Sequence, residues 1–214
     1  MQETLSISKA TVDRLPRYYR CLRQLTDEGV EIASSEELGR RLAINPEQIR
    51  KDLAFFGQFG KKGVGYYVSE LGQQIVEIIG LQQHWKIGIA GIGHLGWALA
   101  NYKTFGRLGF RTEGLFDVDH RIIGQNVGGI VVTPISEMEE TIRRAGIQIG
   151  IITTPASVAQ QVADQMVAGG IRGILSFAPI RLNLPPHVYV FREDLSIGLS
   201  RISYYLTNKP EQDE

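Results

Sequence analysis

Cysteine is nearly absent from this chain: Cys21 is the only one in 214 residues. That excludes an intramolecular disulfide and any metal cluster built from cysteines, and Cys21 reads as a small packing residue. Long apolar runs are also missing. None approaches the roughly 18 to 20 residues of a membrane span, and the opening MQETLSISK has neither the basic start nor the apolar centre of a secretory leader. A cytoplasmic protein is expected, with no membrane partner. Histidine is sparse, at four residues. His84 precedes an apolar strand, His94 sits in a glycine-rich loop, His120 follows a second strand and His187 follows Pro185-Pro186, so none is an evident acid or base for catalysis. No metal site is expected. Finally, there is no excess charge of either sign, with 23 Lys and Arg against 23 Asp and Glu. Such balance weighs against a nucleic-acid partner.

Distribution overrules the total. From Arg40 to Lys62 lie Arg40, Arg41, Arg50, Lys51, Lys61 and Lys62 against only Glu47 and Asp52, a compact basic segment on a neutral protein. The elements around it follow from local signals. Ser8 to Asp27 has helical apolar spacing at Val12, Leu15, Tyr18 or Tyr19, Leu22 and Leu25, with Pro16 either starting a second helical segment or kinking the first. Ser34-Ser35-Glu36-Glu37 has the form of a capping box and opens a helix through Leu42. Asn45-Pro46 repeats the signal, cap followed by proline at the first helical position. Two short capped helices so closely joined make a helix-turn-helix.

On the second helix, Ile49, Leu53 and Phe56 share a buried face. Lys51 points nearly opposite, flanked by Gln48 and Phe55 on one side and Arg50 on the other. A polar, basic outer face is what a helix entering the major groove requires, although such faces are commonly just solvated. The next segment strengthens the nucleic-acid reading. Lys61-Lys62-Gly63-Val64-Gly65-Tyr66-Tyr67-Val68 reads as a short hairpin with a basic tip, and helix, helix, hairpin is the order of a winged helix. Candidate DNA contacts are Ser35, Asn45, Gln48, Arg50, Lys51, Phe55, Lys61, Lys62, Gly63, Gly65 and Tyr66. A helix from Ser69 to Ile79 closes this module at Gly80.

A second module opens at Trp85 to Ala90, an apolar strand running into Gly91-Ile92-Gly93-His94-Leu95-Gly96. A strand entering G-x-G-x-x-G is the dinucleotide-binding fingerprint in its proper context. Gly91 permits the tight turn, Gly93 lets backbone approach a pyrophosphate, and Gly96 brings the following helix against the strand, whose first amides favour phosphate. A second strand, Thr112 to Phe116, closes with Asp117, placed to accept hydrogen bonds from the adenine ribose. That carboxylate would repel a 2′-phosphate, and Arg121 stands beyond Val118, Asp119 and His120. NAD(H) is therefore expected over NADP(H), with Val118 and Asp119 as further contacts. Strands follow at Gly129 to Val132, Gly150 to Thr153 and Gly173 to Ser176, with a helix over Ala156 to Ala168. The segments Thr153-Thr154-Pro155 and Phe177-Ala178-Pro179 fall where such sheets bind ligands, or are ordinary proline-containing turns.

The last element, Arg192 to Leu206, carries an apolar stripe of Leu195, Leu199, Ile202 and Leu206. It either covers its own sheet or packs on a second subunit, and the two-fold symmetry of a palindromic DNA site favours the second. The fold expected is α/β: a winged-helix domain over 1–80, a Rossmann domain over 81–191, a dimerisation helix over 192–208, and a disordered tail over 209–214. Two rival readings are a compact NAD-dependent oxidoreductase whose front module mediates protein contacts, and a nucleotide-dependent interaction protein without DNA.

Taken together, Arg50-Lys51-Asp52-Leu53, the tip Lys62-Gly63-Val64-Gly65-Tyr66, the glycine loop, Phe116-Asp117-Val118-Asp119 and Gly173-Ile174-Leu175-x-Phe177-Ala178-Pro179 resemble the Rex family of redox-sensing transcriptional repressors. The resemblance implies a non-enzymatic homodimer that binds palindromic operators of respiratory and fermentative genes and leaves DNA when NADH binds, with NAD+ as the weakly effective competitor. It also implies a carboxyl-terminal helix exchanged between subunits. A switch formed by an arginine, a tyrosine and an aspartate maps onto Arg20, Tyr102 and Asp194, and Leu195 stands where some relatives carry phenylalanine.

Overall fold

A computed structural model describes residues 7–61 and 63–208, which divide into two compact units, one ending at Gln83 and the other starting at His84. Lys62 and the tail over 209–214 lie outside the described residues.

The first unit opens with α1, Lys9–Asp27, capped by the Ser8 hydroxyl, which accepts from the Thr11 amide at 3.1 Å. The helix runs through Pro16 without a break. Proline removes the hydrogen bond to Val12, a loss of about 3 kcal/mol or more, but both residues lie on the exposed face. The opposite face buries Tyr18 with Leu15, Leu22 and Leu25, and the three leucines, at about 1.5–3 kcal/mol each, outweigh the defect. A short strand, β1 (Ile32–Ala33), leads into α2 (Ser35–Leu42) and α3 (Pro46–Ala54).

The two caps read from sequence are present: Ser34 accepts from the Glu37 amide at 3.1 Å and Asn45 from the Glu47 amide at 2.8 Å. The turn between α2 and α3 is tight. Ala43 has φ of 53°, and a Cβ on Gly39 would lie 2.6 Å from the Ile44 carbonyl oxygen, so only glycine lets the chain return this closely. Ile49 and Leu53 are buried as their spacing required, with Phe56 packed at the margin.

The expected hairpin is built differently. Lys61 and Gly65 form an isolated antiparallel bridge, but the partner of β2 (Tyr66–Tyr67) is β1, paired antiparallel from more than thirty residues earlier in the chain. The wing thus hangs from the strand preceding the helix pair. Helix α4 (Val68–Ile78) closes the unit, with Leu71 and Ile75 in its core.

In the second unit, β3 (Trp85–Ala90), β4 (Phe110–Asp117), β5 (Asn126–Val127), β6 (Ile130–Pro134), β7 (Ile149–Ile152), β8 (Gly173–Ser176) and β9 (Tyr189–Arg192) form one sheet ordered β5-β6-β4-β3-β7-β8-β9. Every neighbouring pair is parallel except β5 with β6. Helices α5 (His94–Ala100), α6 (Thr104–Arg107), α7 (Met138–Ala145) and α8 (Ala156–Ala168) connect the strands. The strand order reverses between β3 and β7, and the carboxyl ends of these strands are where such sheets bind ligands.

Alternation along the strands feeds a core on each face. Ile87, Ile89, Leu115, Val132 and Ile151 pack on one, and Ala90, Phe116, Ile152 and the residues of α7 and α8 on the other. Small residues make room for large ones: a Cβ on Gly150 would meet the Met166 sulfur at 2.4 Å, and one on Gly114 the Phe116 ring at 2.6 Å.

Arg192 is the last residue of β9, so the final helix, α9 (Leu195–Thr207), starts three residues later than its periodicity predicted. Its large apolar side chains, Leu195, Ile197, Leu199, Ile202 and Leu206, are all exposed, as are Tyr204 and Tyr205. Among the described residues no helix is long and apolar enough to cross a membrane.

Candidate functional site

Backbone geometry makes the glycine loop. Gly91 has φ of +91°, and a Cβ there would meet Thr154 at 2.9 Å and the Thr153 carbonyl carbon at 3.0 Å. Gly96 stands against the strand end, where a Cβ would lie 2.0 Å from the Gly91 carbonyl oxygen. Gly93 has open space on its Cβ side and caps α5. Leu95 is exposed on the first turn of the helix.

Asp117, at the end of β4 and 9% exposed, accepts from three backbone amides: Ile92 in the glycine loop, Val118 at 2.7 Å and Asp119 at 2.9 Å. One carboxylate thus fixes a negative charge and ties the loop to the neighbouring strand. Thr153 completes the brace, its hydroxyl donating to the carbonyls of Ala90 at 3.0 Å and Gly91 at 2.6 Å.

A cavity of about 430 Å³ brings together Gly91, Gly93, Asp117, Val118, Thr153 and Pro155 from the expected set. Its remaining walls were not singled out from sequence: Ile135 after β6, and Val158, Gln161, Val162 and Gln165 on α8. The Thr154 hydroxyl is buried there with no hydrogen-bond partner among the described residues. Apolar walls with a few polar groups suit a flat heterocycle. The pattern was available, since 158 and 162 are four apart, as are 161 and 165, on the helix after Pro155. His94 faces a separate hollow of about 420 Å³ with Ile92, Gly93, Trp97 and Ile122. Phe177, Ala178 and Pro179 stand at the carboxyl end of β8 and line neither space; Ala178 is buried.

Arg121 departs from the linear reading. Although three residues separate it from Asp117, its guanidinium folds back on Asp119, with Nη2 2.7 Å from Oδ2 and Nε 3.0 Å from Oδ1. This contact holds the Asp119 carboxyl down to about 2.

In the first unit, a hollow of about 510 Å³ is shared by Ser34, Ser35 and Arg50 of the helix pair and Lys61, Gly63, Gly65 and Tyr66 of the wing. Arg50 donates to the Ser35 hydroxyl at 2.6 Å and to Glu36 at 3.2 Å. Lys51 is exposed, paired with Glu47 at 2.9 Å, and Phe55 is exposed on the same outer face. Tyr66 is different: 8% exposed, its ring belongs to the core and burial pushes its phenol up. Tyr67 carries the outward ring, with the Lys61 ammonium 5.6 Å from its centroid.

Gln48 is also committed inward, donating to Asp52 at 2.8 Å. Asp52 is fully buried and was missed as a feature. It accepts from Arg14 at 2.5 and 2.7 Å, Tyr18 at 2.6 Å and Thr11 at 3.2 Å, all on α1. Burial alone would raise this carboxyl; the bonds from Arg14, Tyr18 and Gln48 overcome it and hold the group down to about 2. The outer face of α3 is therefore carried on a charged hub anchored in α1.

Of the residues mapped as a switch, Arg20 is exposed on α1, Tyr102 lies two residues beyond the end of α5 and is 52% exposed, and Asp194 caps α9, accepting from the Ser196 amide at 3.0 Å and hydroxyl at 2.6 Å.

Known proteins resemble this chain over most of its length. The family described as putative DNA-binding protein N-terminus matches residues 6–54, and that described as CoA binding domain matches residues 82–180. The redox-sensing transcriptional repressor Rex of Roseiflexus sp. (strain RS-1) is 47% identical, over 91% of this chain and 89% of its own. That of Syntrophobacter fumaroxidans is 44% identical over 94% and 96%. The chain belongs to the Rex family. Solved Rex structures agree: RSP in complex with β-NAD+ and operator DNA matches with a TM-score of 0.89 at 39% identity, covering 94% of this chain and 93% of that one. RSP in complex with β-NADH matches with a TM-score of 0.88 at 38% identity, covering 94% and 95%.

Proposed function

We propose that this chain is a transcriptional repressor that reads the NADH/NAD+ ratio in the cytoplasm, binding a palindromic operator as a homodimer and leaving it when NADH binds. One observation carries the reading: a basic helix-and-wing face and a glycine-loop cavity occur in one chain whose Rex relative is known both with operator DNA and with NADH. Residues 1–80 serve DNA, 81–191 serve the dinucleotide and 192–208 join the subunits. The nucleotide is a signal here, not a reactant, in keeping with relatives named as repressors.

On the DNA side, Lys51, Lys61 and Lys62 neutralise phosphates, while Arg50 and Phe55 present groups to the groove. Gln48, Ser35, Asn45 and Tyr66 hold the reading elements in place, and Gly63 and Gly65 shape the tip. On the nucleotide side, Asp117 takes the adenine-ribose hydroxyls, the amides of Gly93 to Leu95 face the pyrophosphate, Ile92 holds the loop through its bond to Asp117, and the cavity beside Val118 and Pro155 takes adenine. Phe177 to Pro179 stand toward the nicotinamide. Exposure of the whole apolar stripe of α9 supports a subunit interface. Arg20, Tyr102 and Asp194 are assigned to the switch. DNA and NADH must prefer different arrangements of the winged helices, since a ligand with equal affinity for both shifts nothing.

Fluorescence anisotropy on palindromic duplexes at fixed salt tests this. Lys51→Ala is expected to weaken binding across sequences and reduce the salt slope by about one. Unchanged affinity and slope would remove the groove assignment of α3.

A further inference from the structure

Asp117 excludes a 2′-phosphate by charge, yet the structure sets a cation close to it. Asp119 follows two residues on and its amide donates to Asp117 Oδ1 at 2.9 Å, so the two are locked together at the end of β4. The turn beyond is fixed as well, with the amides of Ile122 and Ile123 donating to the Asp119 carbonyl at 2.9 and 3.0 Å. Within that turn the Arg121 side chain is 90% exposed and engages Asp119 through both Nε and Nη2. An arginine at the end of the second strand is what receives a 2′-phosphate in NADP-binding sites of this fold. Here its fork is already filled by a carboxylate.

We propose that Asp119 is a selectivity residue of the dinucleotide site, acting by occupying and neutralising Arg121 so that the guanidinium is unavailable to a 2′-phosphate. The proposal rests on the reading of the Gly91–Asp117 cavity as an NAD(H) site. A 2′-phosphate brings a charge of about −1.5 to −2 and three strong acceptors. To reach Arg121 it must displace Asp119, and the displaced carboxylate then stands beside Asp117 and the phosphate with no cation of its own. NADH meets no such cost. Discrimination thus comes from two carboxylates with different tasks. Asp117 repels directly, and Asp119 withholds the arginine.

The geometry separates the two contributions. The amide of Arg121 donates to Asp119 Oδ1 at 2.9 Å, and asparagine keeps that oxygen. Asp119→Asn therefore preserves the turn while removing the charge that holds the guanidinium. Asp119→Ser, which also keeps an oxygen acceptor, serves as a second variant should the first fail to fold.

The test is isothermal titration of full-length wild type, Asp119→Asn, Arg121→Ala and the double variant with NADH and with NADPH. Charge-assisted bonds of ordinary strength predict that Asp119→Asn improves NADPH affinity relative to NADH by about tenfold. In Asp119→Asn/Arg121→Ala the gain is expected to disappear. A ratio unmoved by Asp119→Asn overturns the proposal, and so does a gain that survives loss of Arg121. Wild type that binds neither nucleotide would instead strike the NAD(H) reading beneath it, which the wild-type NADH titration reveals on its own.

Discussion

Replacing Asp52 with asparagine should destabilise the first unit and weaken DNA binding together. The carboxylate is fully buried and accepts from two nitrogens of Arg14, from Tyr18, Thr11 and Gln48. Asparagine offers one acceptor oxygen and a donor amide that faces other donors. Removing one partner of a buried ion pair costs about 3–5 kcal/mol. Arg14 retains 21% exposure and recovers some hydration, which places the expected loss near the lower end, at about 3 kcal/mol. The pH dependence carries a sign. The folded-state carboxyl is held at about 2, below its ordinary 3.8, so its stabilisation is present above pH 4 and is lost as pH falls toward 2. The gap between wild type and Asp52→Asn should therefore be widest at neutral pH and close through that window.

Urea unfolding of the full chain, followed by circular dichroism from pH 7 to pH 2.5, measures both quantities. The cycle with Arg14→Met separates pairing from packing, because the double variant should lose less than the two single losses combined. A neutral-pH loss under about 1 kcal/mol, or a gap independent of pH, would refute the assignment of Asp52 as the anchor of α3.

Two other perturbations follow from the second unit. Asp117→Ala removes the acceptor of three amides; it should raise the NADH concentration needed to release DNA by about tenfold or more while leaving DNA affinity within about twofold, as read by anisotropy. Leu199→Asp places a charge in the exposed stripe of α9 and should shift sedimentation from dimer toward monomer, whereas unchanged sedimentation would remove α9 from the subunit contact.

Local chemistry was legible in the chain. Ser34, Asn45 and Pro46 announce their helices through bonds spanning two or three residues, and the boundaries of β3 and α8 follow from apolar spacing beside Gly91 and Pro155. What escaped depends on distant partners. Strand β1 is two residues long, too short for any periodicity, and exists because Tyr66 and Tyr67 return to it. Strand β9, exposed throughout, lacks the alternation that marks a half-buried strand. Asp52 looked like one more charge opposing a basic segment, because Arg14 and Tyr18 stand 38 and 34 residues away. The walls of the adenine-side cavity were hidden for the same reason, since Ile135 and Gln161 meet only through the order of the sheet. Motifs that fold upon themselves are visible in one dimension, while an outward face such as that of α3 is visible only in part. Gln48 and Tyr66 point to the interior for reasons that helical spacing does not carry.

The central claim is that DNA and NADH compete through the conformation of one dimer, and coupling of that kind is reciprocal. The most direct test titrates NADH into the protein alone and into the protein saturated with its operator duplex, at one salt concentration. The account predicts that operator raises the NADH dissociation constant by the same factor by which NADH raises that of the operator. Equal NADH affinity with and without DNA would contradict it.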